Sequence, residues 1–149
     1  MRLALYQPEI PQNTGTLLRL GACLGWGVDL IEPCGFVLDD ARLKRAGMDY
    51  LQKVMLRRHP SWQEFRDSYP DHRKILLDTK GSVDYLDFSF QPCDILLLGR
   101  ESDGVPDSVF QQTNHQLRIN LQEGSRSLNV AIAAAMVVGE ARRQLRGIE

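Results

Sequence analysis

The chain lacks most of the signatures by which small enzymes are usually sorted. Cysteine is scarce: Cys23, Cys34 and Cys93 are an odd number at wide spacings with no Cys-x-x-Cys pair. That argues against a disulfide framework or a structural zinc and fits a reducing, cytoplasmic setting. His59, His72 and His115 stand apart, and no His-Glu-x-x-His occurs, so no metal is expected. Gly21, Gly25 and Gly27 do not have the Gly-x-Gly-x-x-Gly spacing, and no loop ends in Gly-Lys-Ser/Thr, which disfavours a dinucleotide-binding Rossmann enzyme and a P-loop NTPase. The longest apolar run, Val130 to Val138, has nine residues, against roughly 20 needed to cross a bilayer. It also lies at the wrong end for a signal peptide, so a soluble, unprocessed protein with no membrane partner is expected. Charge of one sign is missing too: 18 basic against 19 acidic residues give −1. Any polyanion must be held by a local patch.

What is present fits one domain over residues 1–149, with 43% apolar residues and no internal repeat. Short, mostly continuous apolar runs predict strands at Arg2–Tyr6, Val28–Ile31, Lys53–Leu56, Lys74–Leu77, Asp94–Leu98 and Gln116–Leu121. Continuous runs favour strands covered on both faces, as in parallel sheets. Between them, Asn13-Thr14 can cap a helix to about Leu24, stopped by Gly25-Trp26-Gly27; Ser61-Trp62-Gln63-Glu64 has capping-box spacing, with Pro70 closing its segment. A last helix is expected from Ser127 to about Leu145. The alternation implies an α/β class with a mainly parallel sheet.

Two helices carry surplus apolar surface. Leu17, Leu20 and Leu24 form one stripe of the first helix, and Leu18, Ala22 and Trp26 another, while Val130–Val138 is apolar all round. A second buried contact is implied, either a homodimer interface or the chain's own cover.

Three segments carry candidate chemistry. Pro8 to Gly15 leaves the first strand and enters the first helix, where Arg19 is the only charge in the helix body. Asn13 there reads as an N-cap or a ligand-binding amide, and Arg19 as half of an ion pair or a holder of phosphate or carbonyl. Asp94 to Pro106 is a buried strand emptying into a loop in which Gly99 and Gly104 permit close backbone approach, either to a flat ligand or simply in a tight turn. Gln116 to Asn129 leads into the apolar helix, with Ser127 placed as its cap and Asn129 inside its first turn, a position capping does not explain.

Taken together these segments resemble the SPOUT superfamily of RNA methyltransferases, in the subgroup that methylates ribose 2′-hydroxyls. Its first motif is similar to Ile10-Pro11-Gln12-Asn13-Thr14-Gly15 with Arg19, its second to Leu98 through Pro106, and its third to Ile119 through Asn129. Ile31-Glu32-Pro33 with Gly35-Phe36, and Arg45 through Tyr50, look like a minimal group within it that acts on the wobble nucleotide of tRNA and has no accessory RNA-binding domain. The resemblance implies a deep C-terminal trefoil knot (the α/β knot), which periodicity alone would never suggest. It implies a homodimer and S-adenosylmethionine as cofactor, released as S-adenosylhomocysteine. By position, Leu77, Gly99, Glu101, Gly104, Ile119, Leu121, Ser127 and Leu128 would line the cofactor site, and Asn13, Arg19, Glu101, Ser127 and Asn129 the catalytic centre. A guanidinium is a poor proton acceptor at pH 7, so Arg19 is better read as holding the substrate phosphate, in its own site or the partner's.

Two positions depart from the pattern. Asp103 stands where a basic or small residue is common, and Asn120 replaces a proline. For RNA, Arg42, Lys44 and Arg45, then Lys53, Arg57, Arg58 and His59, with Arg126, form a candidate phosphate-binding stripe across two subunits. Arg142, Arg143 and Arg146 are more simply explained by the dipole at a helix end. Other expectations stay open: the same reaction at another tRNA or ribosomal RNA ribose, a non-catalytic RNA-binding module of this fold, or a flavodoxin-like nucleotide binder.

Overall fold

The computed structural model describes residues 1–37 and 53–147. Seven strands, β1 (Arg2–Tyr6), β2 (Gly27–Ile31), β3 (Leu56–His59), β4 (Lys74–Leu77), β5 (Val83–Asp84), β6 (Ile95–Leu98) and β7 (His115–Arg118), form one sheet in the order β3-β2-β1-β6-β4-β7-β5. Every pairing is parallel. Among the described residues there are four α-helices, α1 (Pro11–Leu24), α2 (Trp62–Ser68), α3 (Asp107–Phe110) and α4 (Val130–Leu145), and a short 3-10 helix at Tyr85–Asp87.

Strand side chains alternate between faces, and here both faces are buried. Leu3, Leu5, Val28, Leu30, Leu96 and Leu98 pack with Leu17 and Leu18 of α1 and Ala134, Val137 and Val138 of α4. Ala4, Tyr6, Ile31, Ile95 and Leu97 pack on the other side with Phe65 of α2 and Val109 of α3. The two β1 neighbours, β2 and β6, are therefore continuous apolar runs with one exception. Asp29 sits fully buried in β2 and accepts bonds from Arg2 Nε (2.7 Å), His59 Nε2 (2.7 Å) and the Tyr69 hydroxyl (2.9 Å). A buried carboxylate persists only with such partners. Burial and the Asp29 carboxylate push the Tyr69 phenol up, which keeps it a donor. Gly27 makes room for the arrangement, since a Cβ there would lie 2.1 Å from Arg2 Nη1.

The expected parallel sheet is present, with four local corrections. The third strand falls at Leu56–His59 rather than Lys53–Leu56: it is an edge strand, so exposed Arg57 and Arg58 occupy it without disturbing a core. The strand after α3 stops at Arg118, and Ile119 to Leu121 run on unpaired. Asn13-Thr14 do not cap α1; its N-cap is Ile10, with Pro11 in the first turn and no side-chain cap. Ser127 does not cap α4 either, because that helix begins at Val130 and its cap is Asn129, whose side-chain oxygen accepts from Ala131 N (2.9 Å) and Ile132 N (3.3 Å).

Other helix ends follow the expectation. Gly25 ends α1 at φ +70, and Ser61 Oγ accepts from Glu64 N at 3.2 Å to start α2. The surplus apolar surface of α1 is largely taken up within the chain, where Leu18 and Trp26 are core and Leu20, Ala22 and Leu24 pack against it. On α4, by contrast, Ile132 and Met136 remain 57% and 39% exposed. Among the described residues no helix is long and apolar enough to cross a membrane.

Candidate active site

From β1 the chain builds outward through β2 to β3, then crosses to the other side of β1, where β6 lies. Loops leaving neighbouring strands on opposite sides of such a reversal part from one another, and the crevice at the strands' carboxyl ends is where open α/β sheets hold ligands. Three of the loops there belong to β1, β6 and β7, and they meet at Glu101, Asn13 and Asn129.

Glu101, in the loop after β6, reaches the start of α1. Its carboxylate accepts from Glu9 N (2.8 Å), Ile10 N (3.3 Å) and Asn13 Nδ2 (3.4 Å). Two are backbone donors just before and at the N-cap of α1 and the third is a side-chain amide in its first turn, so the carboxylate sits at a helix N-terminus, which attracts negative charge. The return contact runs from Ser102, whose N and Oγ both donate to the Glu9 carboxylate at 2.9 Å. Asn13 Oδ1 accepts from Asn129 Nδ2 at 2.9 Å, and Asn129 Oδ1 is the cap of α4. The carboxylate accepts only, so it fixes the Asn13 amide, which in turn fixes that of Asn129. One directed line of hydrogen bonds thus joins Glu101, Asn13, Asn129 and the α4 backbone.

This line borders a cavity of about 650 Å³. Leu77, Gly99, Glu101, Gly104, Ile119, Leu121, Ser127 and Leu128 all line it, as do Asn13, Asn129 and Arg126. Gly99 and Gly104 are there for space: a Cβ on Gly99 would lie 2.7 Å from Gly104 Cα, and one on Gly104, at φ +67, would lie 2.8 Å from Asp78 Oδ2. Arg100 and Gly104 exchange backbone bonds of 2.9 and 3.1 Å across the turn. Asp103, one of the two departures, helps hold it, pairing with Arg100 Nε at 3.1 Å. The other, Asn120, bonds to Asp84 and accepts from Arg118 Nε at 3.0 Å. Sequence reasoning missed Asp78, Thr79 and Lys80, which also line the cavity. Their signal was their place just past the carboxyl end of β4.

Several expected residues lie elsewhere. Arg19 is exposed on α1 and does not line the cavity of its own chain. Arg57, exposed on β3, donates to the Tyr69 hydroxyl at 3.4 Å and lies over its ring, while Arg58, also exposed, pairs with Glu32 through one N–H group. Arg42, Lys44 and Arg45 fall outside the described residues. No group of three metal-ligating side chains occurs among the described residues.

The profile of the SpoU rRNA Methylase family matches residues 1–139. The chain belongs to the SpoU methylase family. A Beijerinckia indica relative of this SpoU-family protein, named tRNA (cytidine(34)-2'-O)-methyltransferase, is 55% identical over 145 residues, spanning 96% of this chain and 91% of that protein. A solved structure described as "Structural insights into the 2-OH methylation of C/U34 on tRNA" superposes with TM-score 0.92 at 41% identity, covering 98% of this chain and 96% of that one. The SpoU methyltransferase AviRb from Streptomyces viridochromogenes, solved in complex with the cofactor AdoMet, superposes with TM-score 0.89 at 25% identity, covering 99% of this chain and 58% of its own. The family expected from the three motifs is thus the family found.

Proposed function

We propose that this SpoU-family protein transfers a methyl group from S-adenosylmethionine to the ribose 2′-hydroxyl of the wobble nucleotide, cytidine or uridine 34, of a tRNA. The observation that carries the reading is the line Glu101–Asn13–Asn129 along the wall of the cavity. The named relatives supply the address, and the AdoMet-bound neighbour the cofactor.

The residues present suit that cofactor. The cavity falls within the ~300–1,000 Å³ range of small-molecule sites. Its glycine turn offers backbone groups where a Cβ would fill the space, and Leu77, Ile119 and Leu121 offer apolar walls. Bound there, S-adenosylmethionine would supply an electrophilic methyl and leave as S-adenosylhomocysteine. Glu101 has its oxygens engaged by three donors, so its part is to hold the two loops and orient Asn13 rather than to take a proton. Asn13 and Asn129 are then fixed in direction and align the ribose. Ser127, exposed at the rim, contacts the substrate or cofactor. Arg19 holds the phosphate next to the reacting ribose and stabilises the developing alkoxide, and a non-bridging oxygen of that phosphate takes the hydroxyl proton.

In this reading the protein is a cytoplasmic homodimer using no metal, and its C-terminal segment is knotted, α4 threading the loops that carry Gly99–Pro106 and Ile119–Asn129. Exposed Ile132 and Met136 on α4, with Ile10 (42%) and Leu128 (38%) at the cavity mouth, are the apolar surface a second copy covers. Arg19 then serves the partner's site, and Arg126, with the basic segment that includes Arg42 and Arg45, forms the RNA stripe. Mixed dimers of Arg19→Ala and Asn129→Ala subunits regain activity if sites are shared and stay inactive if they are not.

The deciding experiment is transfer of labelled methyl from S-adenosylmethionine to tRNA lacking this modification, followed by mapping. Label on the ribose of nucleotide 34 is expected. Label on another ribose would discard the address, and cofactor binding without transfer to any RNA would leave a non-catalytic binding module.

A further inference from the structure

A second pocket, of about 460 Å³, opens beside the first, past the carboxyl ends of β2 and β3. Pro33, Phe36 and Pro60 give it flat apolar walls, Glu32 and Arg58 a polar one, and Cys34 lies between. Gly35 N donates to Pro8 O at 2.9 Å, and a Cβ on Gly35 would sit 3.1 Å from Glu9 Cα. Glu9 is the residue whose backbone N–H meets Glu101 and whose carboxylate meets Ser102. Gly35, between the pocket residues Cys34 and Phe36, thus packs on the Pro8–Glu9 backbone, and the next residue, Ile10, lines the cavity of the active site.

We propose that the pocket receives the pyrimidine base of the nucleotide whose ribose is methylated, which rests on the wobble-methylation reading above. Single-stranded RNA is read by splaying a base onto an aromatic or guanidinium plane and bonding its Watson–Crick edge. Phe36 supplies the plane. Arg58 bonds Glu32 Oε1 through Nη2, and its other N–H groups and Glu32 Oε2 have no partner among the described residues. An acceptor beside several donors suits both pyrimidines. The carboxylate accepts from N4–H of cytosine or N3–H of uracil, and the guanidinium donates to N3 and O2 of cytosine or to one of the carbonyls, O2 or O4, that flank N3–H of uracil. Burial, with the Glu32 carboxylate, pushes the Cys34 thiol up to about 11, so that wall stays uncharged at neutral pH.

The test uses the full chain with S-adenosylhomocysteine and tRNA carrying 4-thiouridine at position 34. After irradiation, a cross-link within residues 32–37 or at Arg58 or Pro60 is expected; cross-links found only elsewhere overturn the proposal. If wild-type protein methylates a different nucleotide, the wobble reading fails and the thio-base moves to that nucleotide, where the same cross-link still decides for or against the pocket. Phe36→Ala should raise the KM for tRNA about tenfold. The Kd for S-adenosylmethionine should not change, and Phe36→Tyr should restore the KM. Glu32→Gln should shift the preference between C34 and U34 substrates by about fivefold. An unchanged KM together with an unchanged preference would overturn the assignment, and lost cofactor affinity would mean that the pocket is only structural.

Discussion

The two long helices start within a few ångströms of the same hydrogen-bond line, yet they are capped in opposite ways. Helix α4 is capped by its own chain: Asn129 accepts from Ala131 N and Ile132 N two and three residues on. Helix α1 has no side-chain cap of its own, and the donors around its start are met by Glu101, about ninety positions away in the sequence. A local cap makes a helix end; a distant one ties that end to another loop. The α1 start is therefore tied to the β6 loop, and residues that look like caps in the sequence, such as Asn13, are freed to face the site.

Removing the distant cap should have the largest effect. Glu101→Ala strands the donors of Glu9, Ile10 and Asn13 together, and we expect a loss of about 2–3 kcal/mol in denaturant unfolding. Methyl transfer should fall by at least about a hundredfold, since the aligned amides lose their anchor. Gly104→Ala should follow. Its φ of +67 and the 2.8 Å approach to Asp78 Oδ2 predict about 1–2 kcal/mol of destabilisation and weaker S-adenosylmethionine binding by calorimetry.

Asn129 separates capping from orientation. Asn129→Ala should cost about 1 kcal/mol as a lost cap. Asn129→Asp keeps an acceptor for α4 and so should hold stability within about 0.5 kcal/mol of wild type. It loses the donor to Asn13 Oδ1, and activity should drop as far as in the alanine variant. Wild-type activity in the Asn129→Asp variant would show that the Asn13–Asn129 bond does not matter.

The far end of α4 should matter least. Hydrogen bonds from Arg143 and then Gln144 hold the Glu140 carboxyl down at about 2, from 4.5. A depressed carboxyl contributes stability above its ordinary range and loses it as pH falls through the folded value. Thermal unfolding of wild type and Glu140→Gln should therefore differ slightly and constantly above pH 4.5 and converge as pH drops toward 2. The pair is an exposed one, so the difference should be small.

How much of this is legible in the sequence follows the same division between local and distant causes. The central strands are readable because both faces of Leu3–Leu5 and Ile95–Leu98 are buried, which leaves unbroken apolar runs. The edge strand Leu56–His59 is not, since Arg57 and Arg58 face outward and the nearby Val54–Leu56 run looks stronger. Val83–Asp84 is too short to show any period. The stop at Gly25 and the Ser61 cap are local and legible, whereas the α1 cap lies in another segment and is not. Asp29 looks like an ordinary strand residue because its partners Arg2, His59 and Tyr69 come from three places in the chain. The cavity residues come from motif resemblance, and Asp78 to Lys80, outside those motifs, do not.

The exchange between Glu9 and Glu101, each loop's carboxylate held by backbone donors of the other, also has an entropic side. Both loops lose their freedom when the chain folds, so little remains to be ordered when a ligand arrives. Amide protons at Glu9, Ile10 and Ser102 should accordingly exchange slowly before any ligand is added, and binding should slow them little further. The site would then select its substrate by shape already present, as a rigid frame does, and would tolerate few intermediate fits.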